Sequence, residues 1–182
     1  MPVISIVDFD PTWADTFAQL RQRVLDVLDP APVTIEHVGS TSVDGLAAKP
    51  VIDMSVFVAD DDAVLIAIEQ LATIGYRHRG DLGVEGREAF HAPPGSPAHH
   101  LYVGTTESLG LRNHLAVRDY LRGHPEAVRE YGALKKQLAA QHADDIDSYI
   151  DGKTDFLLRI LADSSLSHED LRSVEASNRK KS

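Results

Sequence analysis

The chain has 182 residues, 43% of them hydrophobic and 25% charged, which is the composition of an ordinary globular domain rather than a fibrous or disordered one. It has no cysteine, so disulfides, thiolate catalysis and cysteine-based zinc sites are excluded. A formal net charge of −10 disfavours duplex nucleic acid and anionic membranes as main partners; a few local cations still suffice for a small anion.

The start, MPVISIVDFD, lacks a basic lead and a continuous apolar stretch, so it does not read as a signal peptide. No window approaches the ~20 apolar residues of a membrane span, and the cytoplasm is the expected location. Val3 to Val7 reads as a short strand. Asp10 or Thr12 then caps a helix whose apolar stripe is Trp13, Phe17, Leu20, Val24 and Leu28, with Trp13 in the core. Val33 to Val38 reads as a second strand, Gly39 to Pro50 as a turn-rich crossing, and Val51 to Val58 as a buried strand.

Asp60-Asp61-Asp62 opens a helix that runs through Ile74, with acids at its positive end, and Gly75 stops it. Tyr76 to Arg79, Glu88 to His91 and His99 to Val103 read as short strands between glycine- and proline-containing turns. The loop 80–87 reads as a lid or a hairpin turn. Helical periodicity follows over Leu111 to Leu121, Glu126 to His142 and Ile146 to Leu161. The expected organisation is α+β: one domain over 1–162, sheet-rich over 1–106 and helical over 107–162, then a flexible C-terminal tail over 163–182, read as a frayed helix or as disorder.

The most informative stretch is EHVGSTSVDGLAAKPVIDMSV, residues 36–56. A small-residue turn at Gly39-Ser40 precedes Asp53, which lies in an apolar strand. Gly39, Ser40 and Thr41 offer backbone N–H groups and hydroxyls to phosphate oxygens; a plain tight turn is the other reading. A carboxylate in a buried strand needs a partner, either a metal or a cation such as Lys49. Ser55, two residues along, projects on the same face, as a hydrogen-bond donor or a satisfied core serine. Arg118 and Arg122 are four apart on one helix and share a face, as an anion fork or as partners in salt bridges. Lys135, Tyr149 and Lys153 come from the next two helices and, with the arginines, point to an anion-facing cleft between sheet and helices. No G-x-S-x-G elbow and no GxxxxGK[ST] phosphate loop is present.

The segments IEHVGSTSVDGLAAKPVIDMSV (35–56), GY (75–76), HLYV (100–103), HLAVRDYLRGHP (114–125), YGALKK (131–136) and SYIDGKTDFL (148–157) resemble the GrpB family, also known as UPF0157, within the nucleotidyltransferase-fold superfamily. The resemblance covers the chain to about residue 162. It implies a nucleotidyltransferase-like mixed β-sheet flanked by helices, with a helical C-terminal region beside it.

It also implies a site in which a Gly-Ser turn and strand acids hold Mg²⁺ and a nucleoside triphosphate, for transfer of a nucleotidyl group to a small acceptor. In that frame Asp53 is the catalytic acid and metal ligand. Gly39, Ser40 and Thr41 hold phosphate, and Lys49 and Arg118 balance charge. The second acid position is Ser55, a departure from the superfamily pattern. A non-catalytic ligand-binding or interaction domain on the same fold is therefore a second reading. A third groups His37, Asp53 and His100 around Zn²⁺ or Mn²⁺ as a phosphoesterase. Oligomeric state is not legible.

Overall fold

The computed structural model describes residues 3–179. Its five strands are β1 (Thr34–Val38), β2 (Ile52–Phe57), β3 (Arg77–His78), β4 (Glu88–His91) and β5 (His99–Gly104), in the spatial order β1-β2-β5-β4-β3. Only β2 and β5 pair in parallel; the other ladders are antiparallel. The mixed α+β architecture matches the expectation; four strands lie within the stretches read for them, and β5 runs one residue beyond its own, to Gly104.

Side-chain alternation gives the sheet two different faces. Ile52, Met54 and Val56 of β2, with Leu101 and Val103 of β5, bury against α1 (Thr12–Leu28) and α2 (Asp61–Thr73). Those helices contribute Trp13, Leu20, Val24, Leu28, Ala67 and Leu71. Each fully buried leucine here stabilises the fold by about 1.5–3 kcal/mol. Asp60 caps α2, its carboxylate accepting from the Ala63 amide at 2.9 Å. Asp53 and Ser55 point to the opposite face, which α3 (Leu109–Gly123) crosses.

Behind α3 stand α4 (Pro125–Gln141), α5 (Ile146–Asp151), α6 (Thr154–Leu161) and α7 (His168–Asn178). A second core joins Leu121, Val128, Tyr131, Phe156, Ile160 and Leu161 to Val43 and Leu46 of the crossing after β1.

Three local expectations are corrected. Val3 to Val7 is an extended segment with a single bridge, Val7 to Ala48, because no strand runs alongside it; its Ile4 amide donates to Ala143 instead. Ile146 to Leu161 is not one helix but two, broken at Gly152 and Lys153, where a side chain at 152 would overlap Leu138 of α4. Finally, 168–178 is a helix, as one of the two readings had it, but a capped and packed one rather than a frayed, flexible tail. Ser167 and Asp170 form a capping box, and Leu166 and Val174 are buried in the second core. Residues 180–182 of the expected tail, and Met1 and Pro2, lie outside the described residues.

Candidate functional site

β1 ends at Val38, which pairs with Asp53 across the β1–β2 ladder. The chain then turns at Gly39, whose φ of 69° lies in the region that favours glycine, into a 3-10 turn over Ser40–Ser42. A Cβ at Gly39 would overlap the Asp53 carboxylate, so the corner and the acid are in direct contact. The parallel register with β5 sets His100 opposite Asp53, and its Nδ1 donates to Asp53 Oδ1 at 2.8 Å. The Asp53 side chain stays 28% exposed, open to a cavity of about 360 Å³.

Ser40, Thr41, Lys49, Asp53 and His100 line that cavity on the sheet side. The helical side supplies Lys135 of α4, Tyr149 of α5 and Lys153 at the α5–α6 break. Lys135 is 2% exposed; its Nζ donates to Ser40 Oγ at 2.7 Å and sits 4.6 Å from the centre of the Tyr131 ring. Lys153 Nζ lies 4.5 Å from the centre of the Tyr149 ring. Ring faces are attractive to ammonium groups but leave their charge uncompensated.

Burial pushes the Lys135 ammonium down to about 7, with repulsion from Lys153 adding and attraction to Asp53 opposing. Burial likewise brings Lys153 down to about 8, with Lys49 as the repelling neighbour. Three lysines therefore face one carboxylate, in a chain whose overall charge is strongly negative. That imbalance favours an anion in the cavity.

Eight of the residues singled out in the sequence thus share one cavity, and Gly39 touches its Asp53; Ser55, His37, Arg118 and Arg122 do not join them. Ser55 is fully buried, hydrogen-bonded at 3.1 Å to Nδ1 of His114 on α3, and outside the cavity lining. His114 is itself pushed down to about 4 by burial. His37 pairs with Met54 rather than Asp53, so it faces α1, stacks on Phe17 at 4.5 Å and bonds Thr41 Oγ1 at 3.0 Å. Burial pushes it, too, down to about 4.

The His37, Asp53, His100 grouping therefore does not form, and no cluster of three metal-ligating side chains occurs among the described residues. Arg118 is also absent from the lining: its guanidinium bonds Asp119, Glu36 and the His37 carbonyl. Arg122 instead donates twice to the Ser42 carbonyl, bracing the turn from behind.

The donor set bears directly on Mg²⁺. A pair of divalent ions requires several oxyanions. The lining supplies one carboxylate, bonded on one oxygen to His100, among three ammonium groups. The residues present do not fit a two-metal centre. Sequence reasoning missed the apolar wall of Val51, Ile146 and Ile150, although Ile146 and Ile150 are four apart on the helix that carries Tyr149. It also missed His114, for which periodicity carries no signal.

The family model described as GrpB protein matches residues 3–163. The UPF0157 protein YqkA of Bacillus subtilis strain 168 is 39% identical over 154 residues, which is 85% of this chain but 45% of YqkA. The crystal structure of the conserved protein GrpB from Enterococcus faecalis superposes with a TM-score of 0.77 at 32% identity, covering 95% of this chain and 99% of that one. The Cid1 poly(U) polymerase in its MgGTP-bound structure gives a TM-score of 0.56 at 15% identity, covering 86% of this chain and 51% of Cid1, a likeness of fold. The chain belongs to the GrpB family and has the nucleotidyltransferase fold.

Proposed function

We propose that the cavity binds a small phosphoanion, a nucleoside triphosphate or a related phosphorylated ligand, and holds it with lysines rather than with a metal pair. The observation that carries this is the convergence of Lys49, Lys135 and Lys153 on one cavity with a single carboxylate. Each charge-assisted contact to phosphate contributes about 1.5–3 kcal/mol. The Val51, Ile146 and Ile150 wall offers an apolar surface for the uncharged part of the ligand. Cid1, which shares the fold, has been seen with MgGTP, and this supports a nucleotide as the first ligand to try.

Binding without nucleotidyl transfer is the preferred reading, because the position of the second strand acid is Ser55, engaged with His114. Transfer to a small acceptor is the rival reading, favoured by the exposure of Asp53 to the cavity. A thermal-shift titration with ATP, GTP and inorganic triphosphate, with and without Mg²⁺, tests both. Binding stabilises the folded chain by mass action, by about 2.7 kcal/mol at a hundredfold excess over Kd, and so raises the midpoint. No shift with any phosphoanion would overturn the proposal. Steady pyrophosphate release from a nucleoside triphosphate, lost in Asp53→Asn, would favour transfer.

A further inference from the structure

We infer that Ser40 and Lys135 form a serine–lysine catalytic dyad, Ser40 the nucleophile and Lys135 its general base, acting on a small carboxylic ester that carries an anionic group. Ser40 Oγ and Lys135 Nζ are 2.7 Å apart, within the reach that proton transfer needs. Ser40 and Lys135 both line the cavity, so the pair borders the space a ligand would occupy. Lys135 is buried on α4, one turn from Tyr131, whose ring its Nζ faces at 4.6 Å. No carboxylate lies within ion-pair distance of its ammonium among the described residues; only the Tyr131 ring face, the Ser40 oxygen and the more distant Asp53 favour its charge.

Burial already brings this amine close to neutrality, and a neutral amine is what a serine nucleophile requires. The other imidazole or amine groups of the cavity are placed for different work. His100 is bonded to Asp53, and Lys49 and Lys153 are the charges available to an anionic tail and to the oxyanion that develops during attack.

In the proposed step Ser40 Oγ bonds to the ester carbonyl carbon while its proton passes to Lys135 Nζ. The tetrahedral adduct collapses, the bond from that carbon to the alcohol oxygen breaks, and Nζ returns the proton to the departing alcohol. Water then repeats the sequence on the acyl-serine, giving the free acid and regenerating Ser40. No metal or redox partner is needed. Only the choice of an anionic ester rests on the phosphoanion reading; the dyad does not.

The test uses the full chain and a fluorophosphonate probe over about pH 6 to pH 9, with peptide mapping of the adduct. The expected result is a single adduct on Ser40, forming faster as pH rises through about 7. Ser40→Ala carries no adduct, and Lys135→Met and Lys135→Arg label about 100-fold more slowly. Absence of an adduct on Ser40, or wild-type labelling in Lys135→Arg, overturns the dyad. If circular dichroism shows that neither lysine variant folds, the wild-type profile decides: a labelling rate that does not rise with pH removes Lys135 as the base. Of the p-nitrophenyl esters, the hemisuccinate is cleaved about 10-fold faster than the butyrate, and equal rates overturn the anionic-substrate assignment. ATP binding without labelling sinks the dyad alone; labelling without ATP binding sinks the phosphoanion reading and leaves the dyad standing.

Discussion

Gly39 and Asp53 touch: the hydrogen on Gly39 Cα occupies the place where any other residue would press a Cβ into the Asp53 carboxylate. Position 39 also has positive φ, so steric and conformational demands fall on one residue. Gly39→Ala is expected to lower stability by about 1–3 kcal/mol and to abolish the phosphoanion-induced thermal shift. Urea denaturation and the shift titration check both effects. A variant that melts like the parent and binds like it would show that the contact relaxes freely.

Lys153 is placed to act on ligand rather than on fold, since its partner is a ring face and it lies at a break between helices. Lys153→Met is expected to weaken binding of ATP or triphosphate by about 10- to 100-fold, read by calorimetry. Its melting point without ligand should hold or rise, because a depressed ammonium has been removed. Unchanged affinity would remove Lys153 from the site.

The response to pH has two opposite parts. Lys135 and Lys153 titrate near 7 and 8 in the folded chain and near 10.5 when unfolded. Between those limits the unfolded chain holds more protons, so these two groups make ligand-free stability rise with pH across that window. Anion affinity falls over the same range as the cavity loses charge. His37 and His114 both drop from 6.5 to about 4, so stability present above 6.5 is lost as pH falls towards 4. Denaturation and binding curves measured at matched pH values check the opposed slopes. Affinity that climbs with pH would contradict them.

Ser55→Ala leaves His114 Nδ1 without its partner in a buried setting. The expected loss is about 1–3 kcal/mol of stability, with ligand affinity unchanged. A stable variant with lost affinity would return Ser55 to the site.

The order of elements was legible because apolar spacing differs between helix and strand. Much of the cavity was legible too, since the turn before Asp53 and the cations of the later helices were visible as residue types. Partner choice was not. Arg118 and Arg122 share a helix face as their spacing implies, yet Glu36 and the Ser42 carbonyl take them, and neither is near in sequence. His37 missed Asp53 through register parity: a shift of one position along β1 moves a side chain through the sheet. The last helix was misjudged because its short apolar stripe, Leu171 and Val174, with Leu166 just ahead of it, gains meaning only from the core it meets.

The cavity's two walls belong to different cores, with Asp53 rooted in the sheet and Lys135 and Lys153 in the helical half. A bound guest would therefore rivet one half of the molecule to the other, while the empty protein leaves like charges pushing across the seam. Amide hydrogen exchange should show it, with α5 and the break at Gly152 slowing when anion is added while the buried strands β2 and β5 keep their pace.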